Sequence, residues 1–180
     1  MYMKRIFSTL ATIAALAVLF GLTVQTAHAQ STSLTADQIE RIRSNCTSIK
    51  STLNQLHASD ALLRVNRGQV YESMASKLMD PFNSRLNNNR LDAKAMSTVT
   101  ASYRTALDSF RDDYKSYEEK LSSAIRIDCI NEPELLHVTI EQARENRAKV
   151  HDNVTKLHRY IDDYRSAVDD FLLNYERVSS

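Results

Sequence analysis

The chain has 180 residues, and its 23 basic and 22 acidic side chains give a formal net charge of +1. A chain so close to neutral argues against nucleic acid as a partner, because that binding depends on a surplus of Lys and Arg facing phosphates. Two glycines and two prolines in the whole sequence disfavour the many reversals of a sheet protein and favour a few long helices.

The N-terminus carries the three-part pattern of a signal peptide. Two basic residues precede an apolar stretch over residues 6–24, and Ala27-His28-Ala29 supplies small residues at the exit, which predicts cleavage after Ala29. Export to the periplasm or the extracellular space is therefore expected. The alternative is an uncleaved membrane anchor, because the apolar stretch approaches the ~20 residues of a membrane span. Cleavage would leave residues 30–180 as a single domain with 21 basic and 22 acidic side chains.

The first predicted helix covers residues 35–86. Thr35 and Gln38 have the spacing of a capping box. Apolar residues then recur at three- and four-residue spacing, at Ile39, Ile42, Cys46, Ile49, Leu53 and Leu56. Beyond Leu56 the spacing loosens, as at a stutter in a coiled coil. Gly68 lies in this looser part and indicates either a hinge or a close helix approach, and Pro81 is expected to kink or end the helix.

A second helix is predicted over residues 92–129, after a turn over residues 83–90 that contains three consecutive asparagines. Asparagine side chains bond the local backbone, which favours turns. Asp92 is the expected cap. The apolar face of this helix is formed by Met96, Val99, Tyr103, Ala106, Phe110, Tyr114, Tyr117, Leu121 and Ile125.

The third predicted helix, residues 133–178, has the longest regular pattern in the chain. Asn131 is the expected cap, and Pro133 and Glu134 suit a helix start. The apolar face comprises Leu136, Ile140, Ala143, Arg147, Val150, Val154, Leu157, Ile161, Tyr164, Val168, Phe171, Tyr175 and Val178. Only Arg147 among them is charged. A repeat of about 3.5 residues held this long is typical of a coiled coil.

The two cysteines fit the turn between the first two helices. The midpoint of Cys46 and Cys129 falls between Asn87 and Asn88, so an antiparallel pair of helices would bring the sulfurs level. An exported protein is expected to oxidise them to a disulfide; the alternatives are two free thiols or pairing between chains. The resulting fold class is all-α, an elongated antiparallel three-helix bundle or coiled coil (up-down-up) with one disulfide.

Charged residues interrupt two of the apolar faces. The same register places Asp60 level with Lys115 and Arg67 level with Asp108, which predicts two ion pairs. Such pairs add little net stability but can fix the helix register.

Neither a metal site nor an active site is indicated. His137, His151 and His158 lie on one stripe of the third helix, but residues seven apart are separated by ~10.5 Å along the helix axis, too far to share an ion. Adjacent acidic residues such as Asp112 and Asp113 diverge by roughly 100° around a helix and cannot face one substrate. We therefore expect no metal, no cofactor and no enzymatic activity.

One segment resembles known proteins. The residues LLRVNRGQVYE (62–72), with KLM (77–79) and FNSR (82–85), are similar to small exported helical proteins of unassigned function from candidate-phylum bacteria such as Saccharibacteria. The resemblance implies an exported helical protein; it implies no activity and no site residues.

Three functional hypotheses follow. The first is a non-enzymatic scaffold or interaction protein of the cell envelope or extracellular space that binds a protein or envelope partner. Its expected contact surface is the turn, comprising Asn83, Arg85, Asn87, Asn88, Asn89 and Arg90. The second is a binding module for an apolar or metal ligand at the looser spacing around Asp60 to Met74. The third is a homo-oligomeric coiled coil.

Overall fold

The computed structural model describes residues 34–179, and the predicted signal peptide lies outside them. Nearly all of the described residues are helical and none is in a strand, so the expected all-α fold class is confirmed. The elements are α1 (Ala36–Ser44), α2 (Cys46–Ser73), a π-helical segment (Met74–Met79), α3 (Asp80–Asn88), α4 (Lys94–Arg126) and α5 (Pro133–Ser179). Within residues 34–179 no helix has both the length and the apolar character that a membrane span requires.

The capping box at the start of α1 is confirmed. The Gln38 amide donates to the Thr35 hydroxyl, and the Thr35 amide donates to the Gln38 side chain at 2.8 Å. The first predicted helix is interrupted at Asn45, whose side-chain amide donates to the Arg41 carbonyl at 2.8 Å. A side chain that bonds its own backbone in this way competes with the regular helix.

The helical path continues through Pro81 instead of ending there. A proline lacks the amide hydrogen and its ring crowds the carbonyl four residues earlier. Here the π segment, with its wider turns, lies immediately before α3 and accommodates both the missing hydrogen bond and the crowding by the proline ring. The predicted turn over residues 83–90 was therefore placed too early, because the helix reaches Asn88 and Arg90 adopts a φ of 61° in the connection to α4.

The connection between α4 and α5 is organised by Asp128, which the sequence reading did not single out. Its carboxylate accepts from the backbone amides of Ile130 and Asn131 and from the Asn131 side chain at 2.7 Å. These hydrogen bonds lower the pKa of Asp128, and the one from the Asn131 side chain has the largest effect. The second helix ends at Arg126, three residues earlier than predicted, and Ile127 is extended.

The apolar faces of α4 and α5 form most of the core. All nine positions predicted for the α4 face are buried or half-buried, and Leu107 and Ala124 join them. The α5 face is buried or half-buried from Leu136 to Phe171, apart from Arg147.

The last two positions predicted for the α5 face are exposed, so the buried face is shorter than its sequence pattern. Tyr175 and Val178 are 51% and 89% exposed. Tyr164 and Thr100 both hydrogen-bond to Asn83 and therefore lie at one level. Since α4 begins at Lys94, α5 has little α4 surface to cover beyond Phe171.

The first helical stretch is longer than the part of α4 that it spans. His57 contacts Glu118 and Asn83 contacts Thr100. The first helical stretch advances by 26 residues between these two contacts, whereas α4 advances by only 18. The additional residues of the first helical stretch must be accommodated between these contacts. We attribute this to the π segment and to the path of α2, which runs away from α4. In that part of α2 Leu62, Leu63, Val65 and Val70 are 48–64% exposed.

Candidate functional site

A cleft of about 570 Å³ lies where α2 diverges from α4 and α5. Small-molecule sites are typically concavities of ~300–1,000 Å³ with mostly apolar walls and a few polar groups. We call this concavity the cleft. It is lined by Asp60, Leu63, Arg64, Arg67, Tyr71, Phe110, Tyr114, Tyr117, Arg144, Arg147, Ala148, Val150, His151 and Val154.

The floor of the cleft is aromatic. Tyr71 from α2 meets Phe110 from α4 edge to face, with ring centroids 5.7 Å apart, and Phe110 lies 6.4 Å from Tyr114. The edge-to-face arrangement of Tyr71 and Phe110 is one that aromatic quadrupoles prefer. The hydroxyl of Tyr71 is held by His158 Nε2 at 3.0 Å. All three rings are less than a tenth exposed, so the floor is packed and preformed.

One end of the cleft is closed by a buried carboxylate. Asp60 is 8% exposed, and its Oδ2 accepts from the Tyr117 hydroxyl at 2.6 Å and from Arg147 Nε at 3.2 Å. Burial, followed by the hydrogen bond to Asp60, raises the pKa of Tyr117. The predicted ion pair between Asp60 and Lys115 was therefore wrong. Asp60 instead pairs with Arg147, the charged residue that interrupts the apolar face of α5.

The other predicted ion pair is also replaced. Asp108 accepts from Arg111 one helical turn away, and Arg111 also bonds Glu72 of α2. Arg67 instead lines the cleft. The predicted register assumed that α2 stays level with α4, and that assumption fails where α2 diverges.

The mouth of the cleft is cationic. The Arg64 guanidinium lies 5.1 Å from the centroid of the Tyr114 ring, a cation–π distance. Arg144 is paired with Glu141, and Arg147 with Asp60. Among residues 34–179, no carboxylate lies within ion-pair distance of Arg64 or Arg67. The positive charge of these two arginines is therefore not neutralised by the described part of the chain.

The two cysteines lie together, as the register predicts. Cys46 and Cys129 form a disulfide with their Cα atoms 5.6 Å apart. Cys129 is fully buried, and the bond closes a sequence separation of 83 residues. Nearby, the Lys50 ammonium donates to the Ile125 carbonyl. These contacts fix the end of α4 to the start of α2, away from the cleft.

The residues predicted for a contact surface at the turn divide into two groups. Asn83 is only 7% exposed and bonds Thr100 and Tyr164 at 2.9 Å each, so it belongs to the core and not to a contact surface. The other five are exposed: Arg85, Asn87, Asn88, Asn89 and Arg90.

The sequence contained one signal for the cleft, the loosened apolar spacing after Leu56. It did not reveal that Tyr71, Phe110 and Arg144 would meet there, because they come from three elements. No group of three or more His, Cys, Asp or Glu side chains within residues 34–179 is arranged to hold a metal ion.

Comparison with protein-family models, curated proteins and solved structures gave no match to this chain.

Proposed function

We propose that this chain is an exported, non-enzymatic helical protein that binds an apolar ligand in the cleft. The observation that carries the proposal is the preformed aromatic floor of Tyr71, Phe110 and Tyr114 in a cleft with apolar walls. Of the two ligand classes considered for the loosened part of the first helix, the apolar one is supported by Tyr71, Phe110 and Val154 in the lining. A metal has no comparable support among the described residues.

The proposed architecture is an up-down-up arrangement, with α1 to α3 as the first arm, α4 as the second and α5 as the third. It is supported by contacts in which rising positions of the first arm meet falling positions of α4: His57 with Glu118, then Asn83 with Thr100. The disulfide is consistent with an oxidising compartment and so with export. Signal cleavage after Ala29 remains part of this proposal, and intact-mass measurement of the protein from its host would test it.

Filling the cleft tests the proposal directly. Ala148 is an exposed residue of the lining, so Ala148→Trp adds bulk at the cleft without overpacking the core. We expect it to weaken binding of the uncharged fluorescent probe N-phenyl-1-naphthylamine by at least about tenfold, since it displaces the ligand from its apolar contacts. Ala101→Trp, on an exposed position of α4 outside the lining, is the matched control. Equal affinity of both variants and the parent protein would refute the proposal.

A second candidate is the interaction-protein hypothesis. It is favoured by Leu172 and Leu173, which are adjacent in the chain and 47% and 60% exposed near the end of α5. An exposed apolar patch often marks a protein contact. Native mass spectrometry of protein purified from its own host separates the candidates. A retained small molecule supports the cleft, whereas an apo mass with a stoichiometric co-purifying protein supports the partner hypothesis.

A further inference from the structure

We propose that the cleft selects an amphiphilic anion, a single apolar chain carrying a carboxylate or a similar acidic head. The inference rests on the proposed function and adds the chemical class of the ligand.

The walls fit an extended chain. The lining runs along α2 from Asp60 to Tyr71, which corresponds to roughly 16 Å of helix. Leu63 on α2 faces Val150 and Val154 on α5 across this length, and all three are half-buried or exposed. An acyl chain of medium length would cover these wall side chains, which removes their apolar surface from water.

The charges at the mouth favour an acidic head. Arg64 and Arg67 are three residues apart on α2, so their side chains lie on the same side of the helix and repel each other. Neither has a carboxylate partner within residues 34–179. An anion placed between them removes this repulsion and accepts charge-assisted hydrogen bonds from both guanidinium groups.

The polar end of the cleft does not compete for the same head. The Asp60 carboxylate is already bonded to Tyr117 and to Arg147, so its charge is paired, and as an acceptor it offers no donor to a ligand carboxylate. The acidic head is therefore placed at Arg64 and Arg67, with the chain extending over Tyr71 and Val154. A cationic amphiphile would be repelled by the positive charges of the two arginines and is therefore disfavoured.

The test compares three ligands with the same chain length on the purified protein by isothermal titration calorimetry: decanoate, 1-decanol and decyltrimethylammonium, each below its micelle concentration. We expect decanoate to bind at least about tenfold more tightly than decanol, the gain of a charged hydrogen bond. The cation should bind most weakly. Equal affinities would overturn the selection of an anion while leaving the apolar site standing, and no binding of any ligand would refute the proposed function itself.

Single arginine variants locate the head. Arg64→Gln and Arg67→Gln should each weaken decanoate binding by about tenfold and leave decanol binding unchanged, because only the charged contact is lost. Arg85→Gln, at an exposed arginine near the turn, is the matched control. Decanoate binding should also weaken as NaCl rises, through screening of the exposed pair. If both variants keep parental decanoate affinity, or lose decanol affinity to the same degree, the assignment of the head is wrong.

Discussion

At the scale of single residues, Asp60 is a buried charged group whose partners lie on two other helices. Its carboxylate is almost fully buried and is bonded by one tyrosine hydroxyl and one guanidinium. Burying a carboxylate is unfavourable unless such partners are present. Asp60 therefore connects three elements, α2, α4 and α5, at the end of the cleft.

Removing this carboxylate should destabilise the protein. Asp60→Ala leaves the buried Tyr117 hydroxyl without its acceptor, and Tyr117→Phe removes one hydrogen bond to a charged group, worth about 1.5–3 kcal/mol. We expect Asp60→Ala to be the more destabilising change, with a coupling energy of about 1 kcal/mol or more in the double-mutant cycle. Urea unfolding would measure the free energy of unfolding of the parent protein, the two single variants and the double variant. Asp169→Ala, at an exposed position of α5, should change stability by less than about 0.5 kcal/mol; strict additivity of Asp60→Ala and Tyr117→Phe would show that the contact is not formed.

Gly68 does not mark a close helix approach, one of the two roles that its position suggested. It lies within α2 with a negative φ, and a Cβ added there meets no atom within 4 Å. A close helix approach is thereby excluded. What remains is the entropic disadvantage of glycine in a helix.

Gly68→Ala should therefore stabilise the protein by about 0.5–1 kcal/mol, by restricting the unfolded chain and favouring the helix. Thermal unfolding followed by circular dichroism would detect this as a higher midpoint. A lower midpoint would mean that α2 needs a flexible joint at this position.

At the scale of elements, α4 contributes much of the core and carries three buried tyrosines, Tyr103, Tyr114 and Tyr117. Tyr103 donates its hydroxyl to the Tyr71 carbonyl at 2.9 Å, and Tyr117 donates to Asp60. Burial raises the pKa of Tyr103, Tyr114 and Tyr117 above the ordinary value of 10.0.

These shifts predict a loss of stability in alkali. The unfolded chain loses its tyrosine protons near pH 10, while the folded chain holds them to higher pH, so stability is full below pH 10 and declines above it. Urea unfolding at pH 9 and at pH 11 should show the decline, and Tyr117→Phe should reduce its slope. An unchanged slope in that variant would contradict the burial of this hydroxyl.

The disulfide should stabilise chiefly by restricting the unfolded chain. For the loop between Cys46 and Cys129 the chain-entropy model gives at most ~4–5 kcal/mol, and native strain often lowers it. Replacing both cysteines by serine should lower the unfolding midpoint without changing the helical content. Non-reduced peptide mapping should find the two cysteines linked within one chain, and free or intermolecular cysteines would contradict the pairing.

The sequence allowed prediction where structure depends on neighbours in the chain or on a long repeat. The Thr35 capping box, the start of α5 at Pro133 and the level of Cys46 with Cys129 are of this kind. The burial of Asn83 and the partners of Asp60 were not predictable in the same way. They depend on how much longer the first helical stretch is than the α4 surface it spans, and no local pattern encodes that difference.

At the scale of the whole described unit, the divergence of α2 is what separates this fold from a tightly packed set of helices. It leaves apolar side chains of α2 exposed and opens a cleft over the aromatic face of α4. Arg64, Arg67, Arg144 and Arg147 line this cleft together, so like charges from α2 and α5 share one concavity.

The most direct test of this account is a set of isotope-filtered nuclear Overhauser measurements between unlabelled decanoate and the labelled protein. We predict contacts from the acyl chain to the rings of Tyr71 and Phe110 and to the methyl groups of Val154, with the largest chemical-shift changes at Arg64 and Arg67. Contacts confined to Leu172 and Leu173 near the end of α5 would contradict the account, because they would show the ligand on an exposed apolar surface while the cleft stays empty.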